Sequence, residues 1–126
     1  MDELITRLSQ RLDLDPATAR GVVGLVLKFL DREAPREDMA PLLAAHPWIP
    51  ALLEEIPDEP APPACERHFG GMARLMQVAD RMMALGLTMP QVQTAVRETV
   101  AYARETVGDD AINHLVRAIP GLRQVV

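Results

Sequence analysis

Aromatic rings are scarce in this chain: among 126 residues only Phe29, Trp48, Phe69 and Tyr102 carry one. Any core must therefore be closed by Leu, Val, Ile, Ala and Met. Cysteine is represented by Cys65 alone, which excludes an intramolecular disulfide, so nothing calls for an oxidising compartment. Lysine is nearly missing too: Lys28 is the single Lys, and the other twelve basic residues are Arg. Long apolar runs are lacking. The longest uncharged stretches, Met39 to Leu53 and Met82 to Val96, contain proline and fall short of the ~20 residues that span a bilayer. Alternating polar and apolar residues of the strand type occur nowhere, so the expected class is all-α.

The charge balance is acidic, at −5 overall. It is uneven: residues 1–63 carry −6 and residues 64–126 carry +1. A net negative chain is a poor partner for nucleic acid, whose binding rests on releasing counterions to basic side chains. The opening Met1-Asp2-Glu3 lacks the basic start of a secretory signal, so a cytoplasmic setting is expected.

Helical periodicity organises the rest. Leu4, Ile5, Leu8 and Leu12 share one face of a first helix. Asp15-Pro16 forms a cap-and-start pair for a second, running to about Ala34, which is apolar nearly all round and so belongs in the centre. Gly21 and Gly24 within it point to close approach by another helix. A third helix covers about Glu37 to Ala45, and His46-Pro47 breaks it before a short turn over Trp48 to Glu55. Four of the eleven prolines lie in residues 57–63, which read as an extended linker. Beyond it, a Met-rich helix ends near Leu85 with Gly86 as its natural stop. Thr88 is placed to cap a helix from Met89 to about Val107, and Asp109 to cap one from Asp110 to Ala118.

The second part can be laid on the first without gaps at an interval of 73 residues, as in Pro16 with Met89. Leu14-Asp15-Pro16 falls beside Leu87-Thr88-Met89, Phe29 beside Tyr102, and Pro35 beside Gly108. Met39 meets Ile112, Leu42-Leu43 meets Leu115-Val116, and Pro47 meets Pro120. His46 falls opposite Ile119. The expected architecture is a compact bundle of about six to seven helices, built from two pseudo-repeated three-helix units. Residues 1–56 and 64–126 form the halves of a single domain, since neither half is long enough to bury a good core alone.

The stretches LDLDPATARG (12–21), GGMARL (70–75), LGLTMP (85–90) and AIPGL (118–122) resemble small bacterial all-helical families of the VcgC/VcgE-like kind. That resemblance implies a helical fold and carries no catalytic residues with it. Residues 1–30 also resemble the N-terminal helix pair of histone-like HU proteins, which in that family forms a dimer interface. The β-arm with which that family grips DNA has no counterpart here, and the acidic charge opposes such binding.

No reaction is written in the sequence. Cys65-Glu-Arg-His68 has the spacing of half a zinc site, but no second Cys exists to complete it, and three residues do not orient a Cys–His dyad. Gly70-Gly71 lacks the Lys and Ser or Thr of a phosphate loop. Asp109-Asp110 and Glu54-Glu55 are accounted for by helix capping and by solvation. His46 has the place of a helix-end residue that satisfies carbonyls. No cofactor or metal is expected, and no enzyme activity. Five of the seven Met fall between Met72 and Met89, and Met recurs on adaptable binding surfaces. The expected function is a protein–protein interaction or assembly module, through a partner or self-association. Its surface would be drawn from Met72, Met76, Met82, Met83, Trp48 and Tyr102. The alternative is a binder of an apolar small molecule or lipid, in a Met/Leu-lined cavity between the halves.

Overall fold

A computed structural model of the protein describes residues 2–56, 71–119 and 122–125, with side chains described except at 2, 71–75, 124 and 125. The expected linker at 57–63, Cys65, His68 and Gly70 lie outside the described residues. The order of helices is α1 (Asp2–Leu12), α2 (Pro16–Glu33), α3 (Arg36–Ala45), α4 (Ile49–Glu54), α5 (Gly71–Ala84), α6 (Met89–Val107), α7 (Asp109–Ala118) and α8 (Leu122–Val125). No strand occurs among the described residues, and the chain is an all-α bundle.

Local chemistry sets the helix ends. Thr88 caps α6 through a reciprocal box: the Gln91 amide N–H donates to Thr88 Oγ1, and the Thr88 N–H donates to Gln91 Oε1. Gln91 Nε2 also donates to the Leu12 carbonyl at 3.0 Å, so one side chain starts α6 and closes α1. Asp15 stands at the N-cap of α2 without a side-chain bond, and Pro16 supplies the start instead. At the end of α5, Leu87 N–H donates to Met82 O and Gly86 N–H to Met83 O, the paired bonds of a left-handed helix stop. Asp13 ends α1 in the same way, at φ +55°, with Leu14 N–H donating to Ser9 O. Asp109 is not the cap of α7 but its first residue. Gly108 holds the cap position at φ +112°, which an L side chain rarely adopts, and Asp109 and Asp110 then face the positive end of the helix dipole.

The centre is α2 against α6. Helix α1 packs on both, and so does α5. Helices α3 and α7 pack on each other, α4 lies on α2, and α8 lies against α6 and α7. Buried residues from Leu4 to Leu122 form one core that draws on both halves. Helix starts recur at the interval read from the sequence: Pro16 and Met89, Arg36 and Asp109, Ile49 and Leu122. Buried positions recur with them, including Val23/Val96, Phe29/Tyr102, Leu42/Leu115 and Ile49/Leu122. Helix α5 departs from this register, since it starts at Gly71 and ends at Ala84. The helix pair that resembles the HU dimer element is packed within its own chain, against α5 and α6.

The two glycines of α2 have different roles. A Cβ on Gly24 would lie 2.5 Å from Ile56 Cδ1 and 2.7 Å from its Cγ1, so the bare backbone lets the end of α4 settle on α2. Arg20 pairs with Glu55, and Lys28 Nζ donates to the Ile56 carbonyl, fixing the same contact. A Cβ on Gly21 would meet nothing closer than Leu85 Cδ1 at 3.7 Å, an ordinary contact. Alanine gains about 1 kcal/mol over glycine in a helix interior, whereas crowding a packed site costs about 1–3 kcal/mol. Gly21→Ala should therefore stabilise the fold and Gly24→Ala should destabilise it, by about 1 kcal/mol each. Denaturant melts of the two variants check the opposite signs.

Candidate interaction surface

The six residues singled out from the sequence do not form one surface. Met82 is 0% exposed and belongs to the core. Tyr102 is also buried, and the side chain of Met72 lies outside the described residues. Met76 is 52% exposed and Met83 is 37% exposed. They are seven residues apart on α5, so they share a face and stand about 10 Å apart along its axis. Asp80 is exposed between them on that face. Leu85 and Met89 are exposed at the turn into α6. Among the described residues, every exposed large apolar side chain thus falls between residues 76 and 89. The cause is local: Val78, Ala79 and Met82 bury the inner face of α5, and Met76 and Met83 lie on its outer face.

A groove of about 170 Å³ runs between the halves, lined by Gly21, Leu25, Ile56, Arg81 and Leu85. Among the described residues that line it there is no Met. At 100° per residue Arg81 is on the far side of α5 from Met83, so groove and Met strip are separate features.

Trp48 and Tyr102 meet a third ring, His46, which the sequence marks only as a helix-end residue. The His46 ring centroid is 5.4 Å from each of theirs. His46 Nε2 lies 2.8 Å from Thr106 Oγ1, and that hydroxyl is within donating distance of the Tyr102 and Ala103 carbonyls. With its one proton spent on a carbonyl, Thr106 accepts the Nε2 proton of neutral His46. The backbone N–H of His46 also closes α3 on Leu42 O. The ring cluster is thus a joint between the α3–α4 corner and α6, with His46 and Tyr102 buried and Trp48 half-buried. Arg7 covers its outer side, 5.6 Å from the Tyr102 ring centroid, and donates to both carboxylate oxygens of Glu105 at 2.7 and 3.0 Å. That bond holds the Glu105 carboxyl below its ordinary value.

At the same C-terminal end of α6, Arg104, Asn113, Val116, Arg117 and Arg123 line a cavity of about 260 Å³. Arg104 Nη1 donates to Asn113 Oδ1 at 2.6 Å. No group of three or more His, Cys, Asp or Glu that could hold a metal ion occurs among the described residues. No helix there is long and apolar enough to cross a membrane. Comparison with protein-family models, curated proteins and solved structures finds no match to this chain.

Burial pushes the His46 imidazole below its ordinary value. The unfolded chain therefore binds the proton more readily, and stability must fall as pH drops from about 7 through the folded value. His46→Phe keeps a ring between Trp48 and Tyr102 and removes the titration. It should cost about 1 kcal/mol at pH 7.5 through the lost Thr106 bond. The gap between the two proteins should then narrow towards pH 5, as read from denaturant melts at both pH values.

Proposed function

We propose that this protein is a non-enzymatic interaction module whose docking surface is the Met76–Asp80–Met83 strip of α5. The carrying observation is the confinement, among the described residues, of exposed large apolar side chains to residues 76–89. Such a concentration on an otherwise polar surface is the usual mark of a contact site, and Met side chains adapt to more than one partner shape. The single Cys65 fits a reducing, cytoplasmic setting. The 73-residue recurrence of helix starts, as from Pro16 to Met89, fits duplication of one helical unit.

Charge selects the occupant. A second copy would meet the strip about a two-fold axis midway between Met76 and Met83, which brings Asp80 against its own symmetry mate. Like charges so placed oppose pairing. The complementary partner is an amphipathic helix of another protein, with apolar residues one and two turns apart and a basic residue facing Asp80. The apolar-ligand alternative finds less support. The groove of about 170 Å³ lies below the roughly 300–1,000 Å³ of sites that enclose small molecules.

Fluorescence anisotropy with a labelled 14-residue amphipathic Leu/Lys helix tests this proposal. The protein should bind it in preference to a Leu/Glu helix of the same pattern. Met83→Glu should weaken binding at least tenfold, and Asp80→Lys should reverse the preference. Binding unchanged in both variants would overturn the proposal. So would a dimer in sedimentation that Met83→Glu dissolves, because the strip would then belong to a second copy.

A further inference from the structure

From the cavity at the C-terminal end of α6, we infer a second site that takes a phosphate monoester. It is distinct from the strip on α5. Met89 and Arg104 are fifteen residues apart on α6, about 22 Å along its axis, so the two features sit at opposite ends of that helix.

Three helices each supply one guanidinium: Arg104 near the end of α6, Arg117 near the end of α7, and Arg123 on α8. A single arginine at a helix end is explained by the helix dipole. Three that line one pocket raise the local positive potential, which favours an anion there. Among the described residues little negative charge stands beside them. Asp109 is 3.8 Å from Arg104 and largely in solvent. Among the described residues no carboxylate pairs with Arg117 or Arg123. This concentration of positive charge occurs in a chain of net charge −5.

Asn113 completes the donor set. Its Oδ1 accepts from Arg104, which fixes the orientation of the amide and leaves the Nδ2 hydrogens for another acceptor. Among the described lining residues the unspent hydrogen-bonding groups are donors, three planar guanidinium forks and one amide, with Asp109 the acid at the edge. Such a set matches a tetrahedral dianion with several acceptor oxygens better than a monocarboxylate, which neutralises one arginine and accepts fewer bonds. The cavity of about 260 Å³ exceeds the needs of a phosphate group and leaves room for a small organic body. Val116 gives that body an apolar wall.

The other half of the chain supplies a contrast. Seventy-three residues earlier, the positions of Arg104, Asn113, Arg117 and Arg123 hold Asp31, Ala40, Ala44 and Pro50. Buried positions match at that interval, as with Leu42 and Leu115. The surface arginines do not. Packing common to both halves therefore does not account for them.

Titration calorimetry with inorganic phosphate and with glycerol 3-phosphate tests the site. One equivalent of each should bind, with the ester tighter. Arg117→Gln and Arg123→Gln, both at exposed positions, should each weaken binding at least tenfold. Arg36→Gln, on the far half, should leave it unchanged. Co-sedimentation with vesicles of phosphatidic acid separates the two sources of the ester. Capture lost in the same two variants assigns a lipid headgroup, and no capture assigns a free phosphate ester. The inference is overturned if neither phosphate compound binds, if both variants bind as the parent does, or if chloride at equal concentration displaces the ester.

Discussion

Burial of two helices by each other's neighbours is the constraint on which this structure depends. Helix α2 is apolar nearly all round, with Val22 to Leu27, Phe29 and Leu30 inside. Helix α6 buries Val92, Ala95, Val96, Thr99, Val100, Tyr102 and Ala103. Neither half has enough surrounding chain to cover such a helix. The fold meets this by exchange: α1 packs on α6 as well as on α2, and α5 packs on α2 as well as on α6. Each half thereby completes the other's interior. Short connections lock the exchange, notably Gln91 reaching the Leu12 carbonyl and Arg7 reaching Glu105.

The shortage of aromatic residues shapes how that interior is filled. Small and aliphatic side chains let helices approach until a single Cβ decides the fit, as at Gly24 beneath Ile56. Three rings gather at one joint, where Trp48, His46 and Tyr102 meet beside Thr106. Because the His46 ring is buried, it couples packing to protonation. Outside the core, packing leaves other groups exposed. On α5 these are two exposed Met with an acid between them, and at the far end of α6 they are a set of arginines.

Much of the fold was legible because helix signals are local. The Thr88–Gln91 capping pair, Pro16 as a helix start, and the glycine stops at Gly86 and Gly108 act within a few residues of themselves. The Met residues were legible only as a group. Periodicity placed Met76, Met82 and Met83 on one helix. Which of them faces inward depended on where α2 and α6 lie, and Met82 went to the core. Tyr102 moved the same way. The His46–Thr106 bond and the arginine cavity left no mark in the sequence. Their members are 60 residues apart in the first case, and spread over three helices in the second.

By itself, then, the sequence determined that this chain is helical, where most helices begin and end, and that α2 must be central. Those properties follow from backbone capping and hydrophobic period, which need no distant partner. Only the tertiary structure decided which helix covers which face. That choice separated surface Met from core Met, brought three rings together, and gathered Arg104, Arg117 and Arg123 around one cavity. The physical reason is that exposure and convergence are properties of packed neighbours, and the sequence names residues without saying what will lie against them.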